Sequence, residues 1–222
     1  MKASQGAPKS APPPGLRERK KQQTRLAISQ VATRLFIERG FDHVTVAEVA
    51  AAAEVSVNTI FNYFATKEEL FFDRAEEVED APCRIVRERR PGESALAALR
   101  RSFHEMLKGR PGEKLAARLR PFLQTIEASP ALKARERLLL ERSEQRLVKT
   151  LLTEAGGRPD EPMARAVAAL IIALEWLLIK ESRRRILRGE SDARLRAALR
   201  RLGERAFALL QDGITDYCTR PS

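Results

Sequence analysis

The stretch EVSVNTIFNYFATKEEL, Glu54 to Leu70, sets Asn58, Thr59, Asn62 and Tyr63 among three apolar residues, Ile60, Phe61 and Phe64. Amide and hydroxyl side chains donate and accept hydrogen bonds, which is the chemistry that tells one base edge from another in a duplex groove. Elsewhere the reactive residue types are scattered. His43 and His104 have no companion at metal-ligand spacing, and Ser, Cys and His form no local catalytic signature, so no metal, cofactor or catalytic residue is expected. Glu175 stands apart. A carboxylate inside AVAALIIALEWLLI must be ion-paired, turned to solvent or used on a ligand, because an unpaired buried charge is costly. A pair with one of the many arginines competes there with a contact to a cationic or hydrogen-bonding ligand.

The totals bound what can surround these residues. A chain of 222 residues can bury one sizeable core, or one core with a small appended module. Its 41 Lys and Arg against 30 Asp and Glu give a net charge of +11, which favours polyanionic partners. Cys83 and Cys218 are too few and too widely separated for a disulfide framework or zinc cluster, as suits a reducing cytoplasm. Residues 1–16, rich in Pro, Ser, Ala and Gly, lack the apolar core of a signal peptide and read as a disordered tail. The apolar run Ala166 to Ile179 is shorter than a membrane span and carries Glu175, so no membrane association is expected.

Nearly every segment beyond the tail carries apolar residues at helical spacing and none alternates as a half-buried strand does, which predicts an all-α fold. A first helix, Arg17 to Arg39, carries Ile28, Ala32, Leu35 and Phe36 on one face and stops at Gly40. Thr45 to Glu48 forms a capping box for a short second helix ending near Ala52. Ser56 caps a third, ending near Tyr63. A second capping box, Thr66 to Glu69, opens a long fourth. Breaks at Pro91-Gly92, Gly109 to Gly112, Ser129-Pro130, Gly156 to Pro162 and Gly189 then delimit five more: Glu93–Lys108, Glu113–Thr125, Pro130–Glu154, Pro162–Arg188 and Asp192–Tyr217.

Two short helices joined by a turn, the second apolar within and polar without, make a helix-turn-helix unit. Ile60 and Phe64 anchor its second helix, which leaves Val57, Asn58, Phe61 and Asn62 to point outward; Phe61 and Tyr63 can alternatively complete the core. A duplex major groove admits one such helix. Ile28 to Leu70 resembles the N-terminal domain of the tetracycline-repressor (TetR) family of bacterial transcriptional regulators, through Ala32, Leu35-Phe36, Gly40-Phe41, Thr45-Val46, Val49-Ala50, Val55-Ser56, Thr59-Ile60-Phe61, Tyr63-Phe64 and Lys67 to Leu70. That family usually has Gly where this chain has Glu54, so the turn is expected to lack a left-handed glycine.

The resemblance implies domains at 17–65 (DNA-binding) and 66–222 (helical, regulatory and dimerising). It implies phosphate contacts from Thr45, Tyr63 and Lys67, with Ser56 both capping and near the backbone, and base contacts from Val57, Asn58, Thr59, Phe61 and Asn62. The basic run Arg17, Arg19, Lys20 and Lys21 would add salt-dependent affinity as a mobile arm, or serve as solvated surface. It also implies a homodimer on palindromic double-stranded operator DNA, with a small-molecule effector. The long C-terminal helices offer Leu170, Ile171, Leu174, Leu177 and Leu178 on one and Leu195, Leu199, Leu202, Ala206 and Leu209 on the other as a four-helix dimer interface, or as core of their own chain. Phe103, Met106, Phe122, Ile126, Glu175 and Trp176 are the candidates for an effector pocket, with plain core as the alternative for the apolar ones. The function expected is that of a repressor; activation and non-specific architectural DNA binding are the alternatives, and an enzyme is not expected.

Overall fold

The computed structural model describes residues 15–109, 114–155 and 160–214. These residues form ten α-helices and one 3-10 turn, with no strand among them. The expected tail therefore falls mostly outside the described residues, as do Cys218 and parts of the breaks near 109–112 and 156–162. Helix α1 spans Leu16–Arg39 and is closed by Gly40, whose φ of 87° continues the chain in a conformation that suits a residue without Cβ. A 3-10 turn, Phe41–His43, leads to α2, Val46–Ala52, and α3, Val57–Phe61. The capping box on α2 is complete, with the Thr45 hydroxyl accepting from the Glu48 N–H and the Glu48 carboxylate accepting from the Thr45 N–H at 2.7 Å.

The fourth helix departs from the expectation. Helix α4 covers only Lys67–Phe71, and the chain turns at Phe72 before α5, Ala75–Arg87. Thr66 caps α4 as expected, but the Glu69 carboxylate accepts from the N–H of Ala65 rather than closing a box on Thr66. The basic run Arg17 to Lys21 likewise differs from a mobile arm: it forms the exposed first turns of α1. Helices α6 (Ala95–Lys108), α7 (Leu115–Ala128), α8 (Pro130–Glu154), α9 (Glu161–Leu187) and α10 (Asp192–Ile214) complete the chain.

Two apolar clusters hold these helices. Ile28, Ala32 and Phe36 of α1 meet Val49, Ile60, Phe64, Leu70 and Phe71, and Ile126 of α7 and Leu132 of α8 close the same cluster. The N-terminal unit is thus packed onto the larger one and not tethered by a linker. The second cluster runs through α5, α6, α8, α9 and α10. There, Gly203 of α10 lies so close to Phe103 of α6 that a Cβ at position 203 would fall 2.2 Å from the ring. The glycine is a notch for that ring. By length and composition α9 is the described helix apolar enough to cross a bilayer, contrary to the shorter run expected, yet it packs against α7, α8 and α10 and supplies core residues such as Ile171 and Leu174.

Candidate nucleic-acid interface and ligand cavity

Helix α3 is short, and its orientation is fixed from both ends. Ser56 caps it by accepting from the Thr59 N–H at 3.0 Å, and its hydroxyl also lies 2.8 Å from that of Thr59. Ile60 and Phe64 are buried at 1% exposure each, which turns the opposite face outward. That face carries Asn58, Asn62, Val57 and Phe61, the last 52% exposed, so Phe61 does not complete the core. Thr59 and Tyr63 are half-buried at its edges. An exposed aromatic beside two exposed amides, on a helix narrow enough for a major groove, can stack on thymine methyls while the amides reach base edges.

The turn before α3 keeps the left-handed geometry without glycine: Glu54 itself adopts φ 54°. Its Cβ makes that conformation costly by about 1–2 kcal/mol. Thr45, exposed at the start of α2, donates its hydroxyl to Glu48 at 2.9 Å, and Arg39 bonds the other Glu48 oxygen at 2.5 Å. The backbone bond from Thr45 and the Arg39 guanidinium hold the Glu48 carboxyl down at about 2. Lys67 donates to the Phe41 carbonyl at 2.6 Å and lies over the Phe41 ring at 4.3 Å, so it also ties α4 to the 3-10 turn; burial lowers its pKa. Lys20 and Lys21 are exposed along α1.

Behind this surface lies a cavity of about 1040 Å³, walled by α1, the α4–α5 turn, α5, α7, α8 and α9. Phe122, Ile126, Glu175 and Trp176, named from sequence as pocket candidates, all line it. Phe103 and Met106 do not: Phe103 fills the Gly203 notch and packs on Phe207, and Met106 points to solvent at 67% exposure. The wall that sequence reasoning missed comes from Leu26, Thr33 and Ile37 of α1 and from Phe71, Phe72 and Val78. Phe71 stacks on Phe122 with centroids 4.3 Å apart, joining the two units across the cavity rim. Glu175 reaches into this space without an ion pair or hydrogen bond to a described residue, and burial pushes its carboxyl up to about 7. The Arg pair expected for it is not made: Arg183, about two turns further on α9, bonds Glu127 at 3.1 Å and also Glu136.

The candidate dimer residues divide by exposure. Ile171, Leu174, Leu178, Leu195 and Leu199 are buried in the core of their own chain, leaving little surface for a partner. Leu202 and Ala206 are half-buried against that core. Leu170, Leu177 and Leu209 are exposed at 42%, 46% and 82%.

A capped helix-turn-helix with an outward polar face is packed on an α-helical body that walls a partly open cavity. Residues 28–73 match the model of the bacterial regulatory proteins of the tetR family. The chain is 32% identical over 147 residues to the HTH-type transcriptional regulator TcmR of Streptomyces glaucescens; the match spans 64% of this chain and 65% of that protein, a little under two thirds of its length. Its fold is similar to that of a TetR-family transcriptional regulator from Mesorhizobium loti, with TM-score 0.51, 21% identity and coverage of 87% of this chain and 97% of that one. A TetR-family regulator from Streptomyces coelicolor A3 gives TM-score 0.50 and 21% identity, covering 89% and 100%. Residues 28–73 thus match the tetR-family region, and the chain is similar over part of its length to an HTH-type transcriptional regulator.

Proposed function

We propose that the protein is a cytoplasmic homodimeric repressor that binds a palindromic operator through α3 and is released by a small molecule held in the cavity. The observation that carries this reading is the shared wall: α1 and the α4–α5 turn, which support the DNA-facing helices, also form one side of the cavity. A ligand that fills the space pushes on elements that set the direction of α3. It shifts the population only by its differential affinity for the two arrangements.

The exposed face of α3 supports the following DNA contacts. Asn58, Asn62, Val57 and Phe61 meet bases, with Thr59 at their border. Thr45, Ser56, Tyr63 and Lys67 meet phosphates, supplemented by Lys20 and Lys21. One α3 reads only a few base pairs, so a two-fold pair is needed to reach successive major grooves about 34 Å apart. The exposed apolar positions Leu170, Leu177 and Leu209 supply the contact between the last two helices of each copy, with Leu202 and Ala206 at its edge. Selecting bound sites from a random duplex library tests this directly. A two-fold symmetric motif is expected; enrichment of a single unrepeated half-site contradicts the dimer.

A further inference from the structure

The cavity is lined mainly by apolar and aromatic side chains, and its charged groups are nearly all matched. On the α4–α5 turn and α5, Asp73 is bonded to Arg25 at 2.7 Å, Arg74 to Glu77 and the buried Glu79 to Arg146 at 3.2 Å. On α8 and α7, Glu136 and Glu127 share Arg183. Arg34 and Glu38 stand four apart on the exposed face of α1 at the rim. Lys180, on the same helix as Glu175, lies over the Trp176 ring at 5.3 Å. Among the described residues, the group this lining leaves unmatched is the Glu175 carboxyl, which shares the cavity wall with Trp176, Phe71 and Phe122.

We infer that the ligand of this cavity is an amphiphilic organic cation, a positively charged centre carried on aromatic or bulky apolar groups, with Glu175 as its counter-ion. This rests on the effector-cavity reading above and names the chemical class that fits it. A cation supplies the one charge the enclosure lacks, so the carboxylate is stabilised only when the ligand is in place. Its apolar groups cover walls that otherwise face water, and a space of about 1040 Å³ admits several rings. Trp176, Phe71 and Phe122 give those groups aromatic surface to pack on. An anion meets repulsion from the ionised Glu175, and a neutral ligand leaves the charge of that carboxylate unbalanced.

Protonation makes the sign testable. The Glu175 carboxyl, raised to about 7, is mostly neutral in the empty cavity at pH 5.5 and mostly ionised at pH 8. A permanent cation must displace that proton at the lower pH, so its affinity rises by roughly ten- to thirty-fold between the two. Trp176 is the chain's single tryptophan, and its fluorescence reports binding without a label.

The experiment titrates the full chain with tetraphenylphosphonium, the neutral triphenylphosphine oxide and the anion tetraphenylborate at both pH values. Tetraphenylphosphonium is expected to bind at least tenfold more tightly than the other two at pH 8 and to weaken at pH 5.5. In Glu175→Gln, with unchanged circular dichroism, its affinity falls about tenfold and loses its pH dependence, while the neutral probe binds as before. Binding of the neutral probe equal to or tighter than that of the cation, or an unaltered pH profile in Glu175→Gln, overturns the cation and leaves the cavity as a site for uncharged ligands. Failure of all three probes to perturb Trp176 contradicts the cavity reading itself, and this inference with it.

Discussion

The Arg25 guanidinium bonds the Asp73 carboxylate at 2.7 Å and the backbone carbonyl of Tyr63 at 2.7 Å. One side chain of α1 thereby joins the residue just beyond α3 to the turn that borders the cavity. Arg25 also lies over the Phe64 ring at 4.5 Å. The planar fork lets one residue serve both acceptors, which a lysine cannot reproduce. Arg25→Ala is expected to lower stability by about 1–2 kcal/mol in urea titration and to weaken operator binding, with Arg25→Lys recovering only part of either. Unchanged operator affinity in Arg25→Ala would show that the link does not orient α3.

Glu54 holds φ 54° in the turn between α2 and α3. Glu54→Gly removes the Cβ penalty but frees the unfolded chain, so the net gain is expected at about 0.5–1 kcal/mol, read as a higher urea midpoint. A β-branched residue at the same place should cost more than that. A glycine variant less stable than the parent would mean that the Glu54 side chain stabilises the turn in some other way.

Gly203→Ala places a methyl inside the Phe103 ring. Alanine is the better helix former by about 1 kcal/mol, yet overpacking of this severity costs about 1–3 kcal/mol, so destabilisation should win. Combining it with Phe103→Leu should recover part of the loss. Additive effects in this double-mutant cycle would place the two residues out of contact.

The raised pKa of Glu175 has a definite consequence for stability in the absence of ligand. The unfolded chain releases that proton near the ordinary carboxylate value of 4.5, whereas the folded chain keeps it to about 7. Between these values the unfolded state binds fewer protons, so this group lowers stability as pH rises and its cost is complete above about 7. Glu175→Gln is therefore expected to be more stable than the parent at pH 8, by on the order of 3 kcal/mol, and to match it near pH 4.5. Glu48 and Glu181, both held down at about 2 by hydrogen bonds and arginines, act oppositely and lose their contribution as pH falls below 4.5. Thermal melts at several pH values separate the two windows.

The helix ends were legible because caps are local: Thr45, Ser56 and Pro130 open their helices where sequence places them. The break after Phe71 was not, because FFDR holds neither Gly nor Pro and the turn is set by Phe71 and Phe72 packing on Phe122. Glu175 could be singled out from its apolar neighbours, but its lack of a partner depends on Arg183 being taken by two other carboxylates. Phe103 and Met106 suited a pocket by residue type, and only the tertiary arrangement turns one into the Gly203 notch and the other to solvent. The α1 wall of the cavity was invisible for the same reason, since nothing in residue type or spacing marks Thr33 and Ile37 as facing a cavity.

That the exposed face of α3 reads sequence is tested most directly by Asn58→Ala and Asn62→Ala, measured on a selected operator and on random duplex at the same salt. Both are exposed and hold no contact in the core, so the fold should stand. Each substitution is expected to weaken operator binding by about 1–3 kcal/mol while binding to random duplex stays nearly constant. Equal losses on both duplexes would contradict base reading by α3 and leave it a phosphate-binding surface.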